Sequence, residues 1–446
     1  MDAPIQALRR RLNRVGEFFL KQRHLAAVRD GVMGALPLVL IGSLFLLVAQ
    51  PPSRALQELV APWTPVLLVP YRMLGGLIAV YVAFSAAHSL ARSYQLDPIS
   101  NGLLAMAAYL VAAFPTPSLA GAVLAPAVVP PSLPLSRLGA GGIFAALLLA
   151  IATVELTRFF VQRNWTIRLP PTAPEVIVRS FVALVPAFAV ISLTFALVHL
   201  AGFDLVHALE MVARPFLVVA GSLPAALAVV TVDSALWLLG VHATAALATL
   251  KPLWETMLIQ NMEAATRGDA VLPHVASQQF YLWFVWQGGS GMTLALALQL
   301  LRARSSQLRG VGRVALLPAL CNINEPVIFG VPIVLNPRLV IPFFGAPLVS
   351  AMVAYIAFHF DLVGRPYLET LWTLPAPVGA FLATGGDIRA VALQLLNLGL
   401  GLLIYWPYVR RYDRELLARE APGSTAAGSH VLTSVPQTGG ASQASG

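Results

Sequence analysis

The sequence predicts an all-α membrane protein with about ten transmembrane helices. The chain of 446 residues is 58% hydrophobic and 11% charged, whereas an average soluble domain carries roughly 25% charged residues. Its mean hydropathy is +0.76. Apolar windows of about 20 residues, the length that crosses a hydrocarbon core of about 30 Å, recur from residue 31 to about residue 408. No stretch is polar enough to form a separate soluble domain.

The basic residues predict how the chain is oriented. All of the 29 Lys plus Arg residues except Lys21 and Lys251 are arginine, and the net charge is +9. They cluster between apolar spans, and the positive-inside rule makes such clusters cytoplasmic; they fall near residues 9–29, 158–179, 302–313 and 410–419. We therefore expect both termini in the cytoplasm, and we assign the arginines to topology rather than to nucleic-acid binding.

The N-terminal part reads as a surface segment followed by five crossings. Residues 1–30 mix arginine with apolar residues at helical spacing, which is typical of an amphipathic helix on the cytoplasmic surface. Residues 31–214 hold crossings that begin near residues 31, 66, 101, 141 and 181. The proline-rich loop after the third crossing contains Arg137 as its one basic residue, as expected outside the cell. No cleavable signal peptide is recognisable, so the first span is expected to be retained.

The regular pattern breaks down in residues 215–410. Polar residues, glycines and prolines interrupt the apolar sequence there. Non-helical backbone is tolerated at membrane depth only where protein or a water-filled cavity surrounds it. We therefore expect two re-entrant hairpins around a cavity, followed by a last span at residues 391–408. Residues 411–446 form a cytoplasmic tail, and its Gly/Ser/Thr-rich sequence predicts disorder.

The segment CNINEPVIFGVPIVLNP, residues 321–337, contains the strongest candidate site residue. A charged side chain at the centre of a membrane helix costs on the order of 3 kcal/mol, so Glu325 is expected to face a cavity. Pro326 disfavours helical geometry at Glu325, and further prolines predict a broken segment. Asn322 and Asn324 add amide groups that can bind hydroxyl groups. The alternative is that these side chains only satisfy the hairpin backbone.

His242 is a second candidate, in the apolar run LWLLGVHATAAL. A lone histidine in such a run is often structural, bonded to a backbone carbonyl. Neutral imidazole also binds hydroxyl groups and titrates near physiological pH. His242 and Glu325 together would suit a hydroxyl group that must lose a proton.

A glycine-rich segment, GGSG at residues 288–291, is a third candidate. Gly289 and Ser290 lie where backbone amides could approach a ligand closely, although glycines also permit tight helix packing in lipid. The segment is not a phosphate loop, because GxxxxGK[ST] is absent. Three tryptophans either stack on a sugar or lie at the membrane interface: Trp237, Trp283 and Trp286.

Motifs of soluble enzymes and metal sites are missing from the sequence. The single cysteine, Cys321, excludes an internal disulfide. No Cys/His spacing suggests zinc, and no GxSxG, HExxH or Rossmann glycine pattern occurs. We expect neither a cofactor nor a bound metal, and transport is the default function.

Several motifs together resemble the membrane-spanning IIC subunit of the bacterial sugar phosphotransferase system, in its lactose/cellobiose/diacetylchitobiose family. They are NINEPVIFGVPIVLNP, VRDGVMGALPLVLIGSLFLL, YQLDPISNGLLAMAAYLV, GVH, GGSG and PAPVGAFLATGGDIRAVALQLLN. They occur in the order and spacing of that family and cover residues 25–410. Two positions depart from it: Cys321 stands where a larger apolar residue is expected, and GVHA replaces the more usual GIHG.

The resemblance implies a homodimeric elevator-type transporter of the bacterial inner membrane. A transport domain, residues 215–410, would carry the sugar against a dimerisation scaffold within residues 31–214. The sugar is commonly a β-linked disaccharide whose C6 hydroxyl is phosphorylated by a cysteine of a IIB protein, which is supplied through IIA. Because no IIB or IIA domain is visible in this chain, both would be separate proteins.

The resemblance also implies roles for individual residues. The family's histidine and glutamate fall on His242 and Glu325, beside the phosphorylated hydroxyl. Asn324, Gly289 and Ser290 fall on weaker sugar-binding positions. Three other functions stay open: a transporter of this fold that works without phosphorylation or with protons, a membrane enzyme acting on a glycan or lipid, and a sugar sensor.

Overall fold

A computed structural model of the chain describes residues 22–51, 54–114, 135–167, 170, 175–241, 243, 247–331, 333, 336 and 338–420. Within these residues the regular structure is helical and contains no strand, which confirms the predicted all-α fold. The N-terminal helices are α1 (Arg23–Ala49), α2 (Arg54–Val60), α3 (Thr64–Leu74), α4 (Ile78–Ser93), α5 (Pro98–Ala113), α6 (Leu135–Leu138), α7 (Ile143–Gln162) and α8 (Glu175–Phe195).

The C-terminal half continues with ten further helices. They are α9 (Leu205–Ala220), α10 (Leu223–Leu238), α11 (Lys251–Arg267), α12 (Gln278–Phe280), α13 (Thr293–Leu300), α14 (Ser306–Leu320), α15 (Glu325–Gly330), α16 (Val340–His359), α17 (Ala376–Ala383) and α18 (Ile388–Glu420). Ala196–Leu200 and Tyr281–Val285 extend α8 and α12 as π-helical turns. The N-terminal segment before residue 22, the tail beyond residue 420 and His242 lie outside the described residues.

In the part of the chain that the structure describes, six helical segments are long and apolar enough to cross a membrane: Arg23–Ala49, Thr64–Ser93, Ala140–Gln162, Phe181–Leu200, Val340–His359 and Ile388–Glu420. A bent pair, α9 and α10, meets at 69° and could count as a seventh. The expected spans that begin near residues 31, 66, 141 and 181, and the last span at residues 391–408, lie within these segments. The full number of about ten crossings stays a prediction.

Apolar side chains point away from the protein on the candidate spans. In Phe181–Leu200 only 22% of the apolar window is buried, and Phe188 is 75% exposed. Large apolar surfaces of this kind are rare on soluble monomers. They are the surfaces that a hydrocarbon environment would cover.

The buried side chains form two hydrophobic cores. The N-terminal core joins α1, α3, α4, α5 and α7, and the C-terminal core joins α10 to α18. Five buried residues of the C-terminal half belong to the N-terminal core instead: Leu205 and Val206 of α9, Ile259 and Met262 of α11, and Leu368. The two cores therefore meet along α11 and the segment around residue 368. The boundaries of the expected transport domain and scaffold stay predictions.

Helix α14 and helix α15 form an out-and-back excursion between residues 304 and 338. At its start, the Arg304 and Ser305 amides donate to Asp413 of α18, at 2.9 and 2.8 Å. At its end, Arg338 Nε donates to Glu415 Oε2 at 2.5 Å. Both ends therefore lie beside the last turns of α18, and the turn at residues 321–324 lies at the far end.

A second excursion runs from residue 364 to residue 387. The Gly364 amide donates to Asp387 Oδ2 at 2.8 Å, and the Tyr367 amide donates to the Ala383 carbonyl at 2.9 Å. The outgoing segment and the returning α17 are therefore paired near their base. The tip, around Trp372, meets the tip of the first excursion.

Candidate functional site

The GGSG segment is a sharp break between α12 and α13. Gly288, Gly289 and Gly291 have φ of 81°, 99° and 77°, and Met292 has φ 59°. Glycine reaches this left-handed region without a Cβ penalty. A Cβ added at Gly289 would lie 2.7 Å from Asn324 Cβ. The absence of a side chain at Gly289 therefore allows the loop to contact the 321–324 turn directly.

Asn322 connects three separate parts of the chain. It has a positive φ of 60°, which Asn tolerates better than most residues. Its Oδ1 accepts from the Gly288 amide at 2.8 Å. Its Nδ2 donates to the Trp372 carbonyl at 2.8 Å. Both ends of the amide are thus bound to backbone, so Asn322 holds the two tips and the glycine loop together.

Asn324 and Glu325 lie immediately beyond this junction. Asn324 is 5% exposed, and its carbonyl accepts from the Val327 amide at 3.0 Å as α15 begins. Glu325 occupies the first turn of α15, with Pro326 following it. Glu325 is half-buried and borders a cavity of about 470 Å³ with residues of α14 and α15. The structure therefore places the predicted asparagines and glutamate around one turn.

Ser290 adds a fourth element to the junction. Its Oγ donates to Asp233 Oδ1 on α10 at 3.0 Å. Asp233 is 3% exposed, and its Oδ2 has no hydrogen-bond partner among the described residues. Ser290 therefore directs its proton to Asp233 and keeps its oxygen lone pairs available to a ligand hydroxyl.

Asp233 was missed by the sequence argument, although a signal for it exists. It lies in the apolar run LAVVTVDSALWLL, and an acidic residue in such a run is a functional-site candidate by default. Trp372 was missed too; its side chain is 54% exposed beside the junction. Its contact with Asn322 is made by the backbone, which no side-chain motif reveals.

The three candidate tryptophans differ in their surroundings. Trp283 is fully buried, and its Nε1 donates to Gln279 Oε1 at 2.6 Å and to Thr370 Oγ1 at 2.9 Å. Trp286 stacks on Tyr281 at 5.1 Å between ring centroids, and Trp237 is 5% exposed. These surroundings favour packing roles for all three.

A larger cavity lies away from the junction. A cavity of about 1140 Å³ lies between α9, α11 and α16, with Glu263, His274 and Arg365 in its wall. None of the sequence-predicted site residues that the structure describes lines it. We place the site at the junction instead, because four chain segments bring strained backbone and buried polar groups together there.

The polar groups at and beside the junction are of the kinds that hydrogen-bond a neutral, hydroxyl-rich molecule. They include a hydroxyl acceptor at Ser290, carboxylates at Asp233 and Glu325, and an amide at Asn324. Within the described residues no group of three or more His, Cys, Asp or Glu side chains could hold a metal ion. A polar site at helix breaks among apolar spanning helices is typical of membrane transporters. The fold and the site thus define a multi-pass membrane protein of the transporter class.

Comparison with known proteins then gives the family. Residues 29–347 match the family model for "Phosphotransferase system, EIIC". The chain belongs to this family of phosphotransferase-system sugar permeases. Membership implies a sugar substrate, IIB and IIA partner proteins, and a multi-pass location in the inner membrane.

Relatives align over nearly the whole chain. The lichenan permease IIC component of Bacillus subtilis (strain 168) is 36% identical over 413 residues, covering 90% of this chain and 91% of the relative. The cellobiose-specific EIIC component of Geobacillus stearothermophilus is 36% identical over 440 residues, covering 95% and 98%. A solved structure is also similar: the transporter ChbC, the IIC component of an N,N'-diacetylchitobiose-specific phosphotransferase system, with TM-score 0.82, 32% identity and coverage of 93% and 99%.

Proposed function

We propose that this permease takes up a β-linked disaccharide of the cellobiose or chitobiose type and presents its C6 hydroxyl to a separate IIB protein. The names of the similar proteins support the sugar class, because lichenan, cellobiose and diacetylchitobiose are all β-linked saccharides. The observation that carries the proposal is the junction, where Asn322 binds both the Gly288 amide and the Trp372 carbonyl.

The two excursions act as re-entrant hairpins in this proposal. Residues 304–338 begin and end beside the arginine-rich end of α18, which the positive-inside rule assigns to the cytoplasm. Residues 364–387 begin and end at the opposite end of α18. The hairpins therefore enter from opposite faces, and their tips meet within the membrane. Broken segments of this kind place backbone polar groups at a substrate site.

Glu325 and His242 complete the proposed sugar site. Glu325 lies one residue beyond Asn324, at the tip of the cytoplasmic hairpin. A carboxylate there accepts a hydrogen bond from the sugar C6 hydroxyl and orients it toward the phosphocysteine of IIB. We propose that His242 contacts the same hydroxyl. The protein binds and positions the sugar, and IIB supplies the phosphoryl group.

Movement of the C-terminal core against the N-terminal core would carry the bound sugar across the membrane. We propose that the N-terminal core forms the interface of a homodimer and stays fixed, while the hairpins and their sugar shift as one body. The existence of two separate hydrophobic cores supports this division.

Substitution of Glu325 by Gln tests the function. We expect Glu325→Gln to abolish sugar phosphorylation and uptake in proteoliposomes supplied with phosphorylated IIB, because a neutral amide still accepts a hydrogen bond but cannot attract or take the proton that the C6 hydroxyl loses. The exposed Glu58, on α2, supplies the matched control Glu58→Gln, which should transport normally. Both variants should elute as the wild-type dimer does. Normal uptake by Glu325→Gln would refute the assignment.

The second candidate function is a transporter of the same fold that works without phosphorylation, as a facilitator or with protons. The intramembrane acids Glu325 and Asp233 favour it, because such groups also serve as proton sites. Uptake of unmodified sugar without IIB would support this alternative. Strict dependence on IIB, with the sugar 6-phosphate as product, would exclude it.

A further inference from the structure

A pair of buried glutamates lies outside the proposed sugar site. Glu255 of α11 and Glu369 of the segment before α17 expose 1% and 6% of their surface. Asn261 Nδ2 of α11 donates to the Pro366 carbonyl at 2.9 Å, so α11 and the segment that contains Glu369 lie side by side, and the two carboxylates are close enough to influence each other. The cation that acts on both is Lys251, one helical turn before Glu255. Intramembrane ionisable groups are rare and usually functional, and transport as proposed above gives this pair no role.

Hydrogen bonding distinguishes the two glutamates. Gln279 Nε2 donates to Glu369 Oε2 at 3.0 Å, and Gln279 Oε1 in turn accepts from Thr370 Oγ1 at 2.7 Å. Neither carboxylate oxygen of Glu255 accepts a hydrogen bond from any donor in the described part of the chain. A buried carboxylate anion without donors is strongly disfavoured. A protonated, neutral carboxyl group at Glu255 avoids that cost.

The charges of the cluster also favour one bound proton. Lys251 Nζ lies 4.0 Å from the Met33 sulfur of α1, and among the described residues its ammonium is the cation that acts on both glutamates. Two carboxylates against one ammonium leave one uncompensated negative charge in a buried position. One proton removes that charge, so the cluster with a single bound proton is neutral.

The pair lies where the two hydrophobic cores meet. The Glu369 amide donates to Ser43 Oγ of α1 at 3.1 Å. Leu368, which precedes Glu369, packs into the N-terminal core. Ile259, one helical turn after Glu255, does so as well. Other charged groups of the surrounding elements lie toward the ends of these elements; they are Arg23, Arg29, Asp30, Glu263, Arg267 and Arg365. Any separation of the cores would bring water to the pair.

We propose that Glu255 and Glu369 form a proton-binding site on the face of the C-terminal core that meets the N-terminal core. One proton occupies the pair in the arrangement seen here, and its release into water accompanies separation of the cores. The inference rests on the proposed movement of the C-terminal core, and it adds a proton to that movement. Sugar exchange should therefore become faster as the pH rises, because the deprotonated pair carries a net negative charge that is more stable in water than in the closed contact between the cores.

Infrared spectroscopy of the purified protein tests the protonation directly and needs no sugar. At neutral pH we expect a carbonyl band of a protonated carboxylic acid that shifts in D₂O. Glu255→Gln and Glu369→Gln should each weaken this band, because the remaining glutamate is then balanced by Lys251 and ionises. Glu58→Gln is the control and should leave its intensity unchanged. A wild-type spectrum without the band, or a band of unchanged intensity in both variants, would overturn the proposal.

Sugar exchange in proteoliposomes tests the coupling. Each pH unit below the midpoint lowers the ionised fraction about tenfold, so wild-type exchange should rise steeply with pH. Both glutamine variants mimic the neutral cluster, and they should bind sugar normally but exchange it slowly at every pH. A variant with the wild-type pH profile would overturn the coupling while leaving the permease function intact. If the wild-type protein binds no sugar at all, the permease proposal fails, and the infrared band still decides the proton site.

Discussion

Polar side chains near the centre of the C-terminal core divide into two kinds. Asn322 uses both ends of its amide to bind backbone groups, so it stabilises the arrangement of the loops. Ser290 binds one protein group, Asp233, and keeps acceptor capacity. Asp233 likewise retains an oxygen with no partner among the described residues. Side chains of the second kind are the ones that can bind a sugar hydroxyl.

Replacing Asn322 should weaken sugar binding without preventing folding. Asn322→Ala removes two hydrogen bonds, each contributing about 1 kcal/mol, so we expect roughly a 30-fold weaker sugar affinity by isothermal titration. Asn322→Gly removes the same bonds but relieves the positive φ of 60°, and it should lose as much affinity. Asn164, with φ 58° in the turn after α7, supplies the control Asn164→Ala. Wild-type affinity in both Asn322 variants would contradict the role of the side chain.

Some of these residues are predictable from sequence and others are not. Glu325 stands out because a charge at membrane depth is costly and is retained for a purpose. The same argument applies to Asp233, Glu255 and Glu369, but it does not show which acids meet which partners. Contacts made by the backbone, such as that of the Trp372 carbonyl, cannot be predicted from the type of residue. The role of His242 stays a prediction.

The broken helices determine where the site lies. Long apolar helices such as α1, α7 and α18 are predictable because their length and hydropathy follow from the sequence alone. The short helices α12, α13 and α15 are not, because their ends depend on contacts with other segments. The GGSG motif shows that the backbone must bend there. It does not show that the loop contacts the 321–324 turn, because Gly288 and its partner Asn322 are 34 residues apart in the sequence.

Close approach of these loops predicts a large effect of one methyl group. In Gly289→Ala the new Cβ would lie 2.7 Å from Asn324 Cβ, so the loop and the turn must separate, and we expect loss of sugar uptake. Gly268→Ala is the matched control: Gly268 also has a positive φ, 82°, but no atom lies within 4 Å of the position that its new Cβ would take. It should cost stability, measured as Tm, without loss of uptake. Equal uptake defects in both variants would attribute the effect to backbone strain alone.

At the scale of the whole molecule, the two hydrophobic cores are the bodies of the movement proposed above. Among the described residues, the Glu369 amide bonds to Ser43, and the Ala140 amide donates to Glu263 at 2.7 Å. The proposed elevator-type movement would leave the interior of each core intact and change the surface between them, where these bonds lie.

The lone cysteine offers a direct test of this movement in the unmodified chain. Cys321 is the single cysteine of the sequence, is half-buried, and precedes Asn322 at the tip of the first hairpin. We expect saturating sugar to slow its alkylation by a membrane-impermeant maleimide at least several-fold, because the bound sugar covers the tip. Glu325→Gln, which should not hold the sugar, is expected to show no protection, and a non-binding osmolyte should protect neither protein.

If the reagent labels Cys321 from both membrane faces without sugar, the tip is exposed alternately to the two sides. If the rate of Cys321 alkylation is the same with and without sugar, the substrate binds away from this hairpin.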